Sequence, residues 1–137
     1  MAGVERFEDL RVWQSARDMV NEVYRLSNQK SFSKDYALVN QIRRSAISVM
    51  SNIAEGFESA SDRKFANYAN IAKSSAGECR SQVYIASDQS YINSSELENL
   101  TSRLTSISKQ LSRLEAYLRQ ENRNPNQLND LDIPYEL

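Results

Sequence analysis

Residues 95–120 read SELENLTSRLTSISKQLSRLEAYLRQ. Within them Leu97, Leu100, Leu104, Ile107, Leu111, Leu114 and Leu118 follow one another in alternating steps of three and four. That is the spacing of one face of an α-helix, held over three heptads. A helix carrying so long an apolar seam needs other helices to cover it, so the seam predicts a helical bundle. Ser95-x-x-Glu98 has the form of a capping box and places the helix start at about residue 96.

Upstream the same periodicity recurs three times. In the first helix, over about 10–27, Val12, Ala16, Met19, Val23 and Leu26 share a face, widened by Trp13, Val20 and Tyr24. Asn28–Phe32 reads as a polar connection, with Ser33 as the cap of a second helix over about 34–56 and Gly56 as its stop. A third helix, over about 62–88, is capped by Ser61 and carries Phe65, Tyr68, Ala72, Cys79, Val83 and Ala86 on its core face, with Ile71 and Ile85 on a second flank. Gly77 inside it weakens the helix by about 1 kcal/mol relative to alanine, which close packing there would offset. The expected architecture is an all-α, antiparallel up-down-up-down four-helix bundle over residues 1–120. Residues 121–137 read as a mostly disordered acidic tail, with Ile133, Tyr135 and Leu137 as candidates to dock.

The composition excludes much chemistry. There is no histidine, which removes His-based triads, general bases and metal ligands, and the single cysteine excludes an internal disulfide or a CxxC pair. Three glycines and two prolines are too few for a many-stranded β-fold. No apolar run approaches the length of a membrane span and no signal peptide opens the chain, so the expected compartment is the cytoplasm. Net charge is −1 overall; residues 1–120 hold 16 basic and 14 acidic side chains, and 121–137 set Arg123 against Glu121, Asp130, Asp132 and Glu136. No strong basic field points to nucleic acid. No catalytic residue, metal, cofactor or small-molecule substrate is expected.

Three sets of residues are nonetheless candidates. At about 100° per residue the apolar side chains of the second helix cover an arc of about 180°, wider than one neighbouring groove usually needs. Leu38, Ile42, Val49 and Ile53 suit the bundle core, while Ile47, Met50, Ala54 and Phe57 lie far enough around to form a subunit interface; the alternative is that the bundle buries them all. Gln41, Arg44, Ser48, Asn52 and Glu55, with Ser74, Ser75, Glu78 and Gln82 from the third helix, form a polar seam in which Arg44 would pair with Glu78 or Glu55 and fix register; the alternative is a pocket or ligand groove. Arg43, which alone interrupts the apolar side, together with Arg44, Arg63 and Lys64 is the candidate set for phosphate contact, against the plainer reading of a solvated mixed face.

The stretches FEDLRVWQSARDMVNEVY (Phe7–Tyr24) and QIRRSAISVMSNIAEGFE (Gln41–Glu58), with Phe65 to Tyr68 and IAKSSAGE (Ile71–Glu78), resemble the four-helix-bundle proteins encoded in intervening sequences of bacterial 23S ribosomal RNA genes. The resemblance covers about Phe7 to Leu118. It implies an antiparallel bundle assembled as a ring-shaped homopentamer. It also implies kinship with the accessory variability determinant of diversity-generating retroelements, a basic pentamer that binds a reverse transcriptase and nucleic acid. The near-neutral charge here departs from that basic relative. The expected role is a non-enzymatic scaffold or adapter whose partners are copies of itself and RNA or a reverse transcriptase. The alternative is a self-assembling module that binds protein and has no nucleic-acid role.

Overall fold

The computed structural model describes residues 3–121 and 125–131, and among them every regular element is helical. A 3-10 turn at Phe7–Asp9 precedes α1 (Arg11–Ser27); a short α2 (Lys30–Lys34) follows, then α3 (Tyr36–Glu58), α4 (Asp62–Asp88), α5 (Ser94–Leu118) and a 3-10 segment at Pro125–Leu131. The four long helices form the bundle, α1 packing on α3, α3 on α4, α4 on α5 and α5 on α1. Polar contacts across two of these seams give the directions. Ser45 and Ser48 of α3 meet Gln82 and Ser75 of α4, and Glu22 of α1 meets Asn99 of α5 while Arg25 approaches Glu96, so both pairs run antiparallel. The heptad seam faces inward: Leu100, Leu104, Ile107, Leu111, Leu114 and Leu118 are buried and Leu97 packs on the core's edge.

The connections differ from the sequence expectation, each for a local reason. The segment taken as a polar link contains α2, because Phe32 is buried and stacks on Tyr91 from the α4–α5 connection at 5.2 Å. The cap of α3 is Asp35, not Ser33. Its carboxylate accepts from the Leu38 amide at 3.1 Å and from the Tyr91 hydroxyl at 2.9 Å, so one side chain starts a helix and ties two connections together. The capping box of α5 sits two residues earlier than expected. Asn93 accepts from the Glu96 amide and Glu96 accepts from the Asn93 amide, while Ile92 just before it is buried.

Gly56 does not stop α3, which runs on to Glu58. It is needed for space: a Cβ there would stand 2.7 Å from a Phe65 ring carbon and 2.8 Å from the Tyr68 Cβ, so only glycine lets α4 come this close. Gly77 has no such reason. A Cβ at that position meets nothing within 4 Å, so the expected close packing is absent from the bundle. On the opposing helix, Ala66, Ala69, Ala72 and Ala76 are fully buried and allow close approach along α4.

The tail also departs from expectation. Pro125–Leu131 is a 3-10 segment docked on the bundle, with Leu128 packed against the core. Arg123, Asp132, Ile133, Tyr135 and Leu137 lie outside the described residues.

Two glycine substitutions should therefore act in opposite senses. Gly56→Ala should destabilise by about 1–3 kcal/mol through overpacking against Phe65 and Tyr68. Gly77→Ala should stabilise by up to about 1 kcal/mol through helix propensity alone. Urea denaturation of the two variants measures both. A third expectation concerns alkaline pH. The bond to Asp35 raises the Tyr91 pKa above its ordinary value of 10.0. The protonated hydroxyl is thus the form the fold favours. Its stabilisation is complete below pH 10 and is lost as pH rises through the raised value. Tyr91→Phe should remove that part of the alkaline decline, read as the difference in thermal midpoint between pH 8 and pH 11.

Candidate functional surfaces

On the apolar flank, Ile47 is 41% exposed, and Met50, Ala54 and Phe57 are half-buried at the core's edge. They follow one another by three, four and three, so they form one stripe along α3. Val20 of α1 is likewise only half-buried, and Phe57 meets Phe65 edge-on at 6.0 Å. The bundle therefore covers the lower part of the stripe better than the level of Ile47. A separate flank on α4 leaves Ile71 48% and Ile85 45% exposed.

The polar seam is narrower and deeper than the sequence suggests. Its connected members are Ser45, Ser48, Asn52, Ser75 and Gln82. The Ser45 hydroxyl donates to Gln82 Oε1 at 2.6 Å inside the bundle, the Ser48 and Ser75 hydroxyls lie 2.8 Å apart, and Asn52 Nδ2 donates to Ser48 Oγ at 3.0 Å. Gln82 belongs to the expected set, whereas Ser45 does not. The signal for Ser45 was present, since it lies three residues before Ser48 on the same polar arc. Gln41, Arg44, Glu55 and Glu78 are exposed, and among the described residues Arg44 forms no ion pair with Glu55 or Glu78. Their charges lie too far out on the helix surface to gain from each other what water already supplies.

The four basic candidates do not come together. Arg43 is half-buried and already occupied: its guanidinium lies 4.4 Å from the Tyr24 ring centroid, and it donates to Ser27 Oγ and Asn28 Oδ1, each at 2.9 Å. Arg43 therefore fastens α3 to the end of α1. Arg44 is exposed. Arg63 and Lys64 are exposed in the first turn of α4, next to Phe65, which lies against Gly56. Gly56 is twelve residues beyond Arg44, roughly 18 Å along the helix axis.

Burial pushes the Cys79 thiol up to about 12, so it stays protonated among the alanines of α4. Among the described residues no three His, Cys, Asp or Glu side chains cluster as a metal site would require. A surface groove of about 460 Å³ between α1 and α5 is lined by Arg25, Ser95, Glu96, Glu98, Asn99 and Ser102. Its guanidinium is engaged, bonded to Glu22 and 3.9 Å from Glu96. No helix among the described residues is long and apolar enough to cross a membrane.

An all-helical bundle whose α1 and α3 carry the quoted motifs can be set beside known proteins. Residues 8–113 match the family described as 23S rRNA-intervening sequence protein. The chain belongs to that family. Among solved structures, it is similar to a protein of unknown function from the S23 ribosomal protein family of Bacteroides thetaiotaomicron. The TM-score is 0.69 at 24% identity, over 80% of this chain and 99% of that one, and this likeness speaks for the fold. No curated protein matches the chain. The family match ends before the close of α5, and the Pro125–Leu131 segment lies beyond the matched residues.

The two adjacent arginines give a direct test. Arg43→Ala should cost about 1–2 kcal/mol of stability, the sum of a cation–π contact and partly buried hydrogen bonds. Arg43→Lys should recover only part of it, because an ammonium cannot reproduce the planar fork. Arg44→Ala should change stability by less than about 0.5 kcal/mol. Guanidinium denaturation of the three variants measures this.

Proposed function

We propose that this intervening-sequence protein is a cytoplasmic, non-enzymatic scaffold that assembles with copies of itself and presents a helical surface to a protein partner. The observation that carries the reading is the α3 stripe Ile47–Met50–Ala54–Phe57, apolar on a side that α1 only partly covers. Single exposed apolar residues are ordinary on protein surfaces, but a continuous stripe along a helix is the pattern of a contact surface. The pentameric, ring-shaped form implied by the family resemblance is the assembly we favour.

Charge supports a protein partner over RNA. Of the four basic candidates, Arg43 is spent on α1, and Arg44 stands roughly 18 Å from the level of Arg63 and Lys64. Phosphate recognition draws on clustered cations, and a dispersed mixed face gives little counterion release.

Light scattering at micromolar concentration should give a mass of several subunits for the full chain. Ile47→Glu and Met50→Glu should lower it to one subunit while leaving the helical circular dichroism unchanged. A monomeric wild-type chain would overturn the proposal. In a filter assay at low salt, RNA should not be retained; retention that falls steeply with added salt would favour the RNA-binding role instead.

A further inference from the structure

Helix α1 begins without a cap of its own. Leu10 holds the cap position, and its buried aliphatic side chain has no acceptor to offer the first amides. The missing partner arrives from 118 residues away. The Arg11 amide donates to Asn129 Oδ1 at 3.2 Å, and Asn129 Nδ2 donates to the Asp9 carbonyl at 3.1 Å. The Arg11 guanidinium reaches the Asn129 carbonyl oxygen at 3.5 Å. One side-chain amide thus uses both its ends to clip the Phe7–Asp9 turn to the start of α1. Leu128, next to it, adds a half-buried apolar contact.

What the clip holds is the aromatic foot of α1. Phe7, in the clipped turn, lies edge-on against Trp13 at 5.2 Å, and Arg17 stands over the same indole at 5.7 Å. Trp13 is 9% exposed in this arrangement, and the turn that shields it also touches α3. The bonds of the clip are solvent-exposed, so water competes for each of them, whereas the helices behind are closed by fully buried side chains.

From this geometry we propose that Pro125–Leu131 is a releasable strap. Docked, it caps α1 through Asn129 and holds Phe7 over Trp13. Released, it frees the Phe7–Asp9 turn and opens the aromatic foot of α1, while the four-helix bundle stays folded. The strap lies beyond the residues matched to the family.

The test uses the full chain and its Asn129→Ala and Leu128→Ser variants. Amide hydrogen exchange is followed at residues 11–13 and at the α3–α4 seam. Acrylamide quenching follows Trp13, the chain's single tryptophan. Both variants should speed exchange at residues 11–13 by about tenfold and increase quenching, with the α3–α4 seam as protected as before. Unchanged exchange at residues 11–13 would overturn the proposal. An equal loss of protection in all four long helices would overturn it too, since the segment would then be part of the cooperative bundle. The exchange pattern reads the strap whatever the mass of the assembly, so failure of the strap and failure of self-assembly give different results.

Discussion

At Gly56, α3 and α4 approach so closely that one added carbon would meet a Phe65 ring atom at 2.7 Å. Much of the remaining architecture follows from that proximity. Alanines along α4 bury little apolar area each, so the pairing of α3 with α4 draws its strength from dense contact. Close spacing also makes the seam possible, because two serine hydroxyls can bridge helices only when the backbones nearly touch. Ser48 with Ser75, and Ser45 with Gln82, then penalise any slip of one helix along the other, since a shift would leave buried hydroxyl and amide groups without partners. With α3 drawn toward α4, Met50 and Phe57 are left only partly buried at the edge of the core. The tight seam and the exposed stripe are two consequences of one packing choice.

Periodicity made the helices legible. Leu100, Leu104, Ile107, Leu111, Leu114 and Leu118 are buried because a heptad seam can face only one way in a bundle. Periodicity was silent about contacts between segments that have no period of their own. Phe32 and Tyr91 stack from two different connections, and Asp35 serves both of them; no spacing along the chain relates these residues. Gly56 misleads for a related reason. A glycine near a helix end reads as a stop, whereas here its use depends on Phe65 and Tyr68 in the next helix. The leucine seam also conceals a polar neighbour, since Gln110 is buried beside it and donates to Ser106 Oγ at 3.1 Å.

The candidate surfaces were legible in the same proportion. The apolar stripe needed only the angular arithmetic of a single helix. The phosphate set failed to gather because sequence shows which cations exist and not what they already hold. Arg43 was the informative exception. A cation inside an apolar arc is expensive unless something nearby receives it, and the Tyr24 ring with Ser27 and Asn28 is what receives it. The residue that interrupts the apolar face is therefore the one that fastens α1 to α3, which removes the strongest member of the basic set from any external ligand.

Asn129 extends this logic to the order in which the chain becomes complete. A cap supplied locally, such as Asp35 for α3 or Ser61 for α4, is available as soon as its own helix forms. The cap of α1 waits for a residue 118 positions later, and so for α5 to be in place and to deliver the chain to the right end of the bundle. Contacts of such sequence separation carry a loop-closure cost that local ones do not. The beginning of α1 is consequently capped only where two segments distant in sequence meet. It is also where Phe7 and Trp13 meet beside α3, so a helix start capped from a distance carries the aromatic contact that closes this end of the bundle.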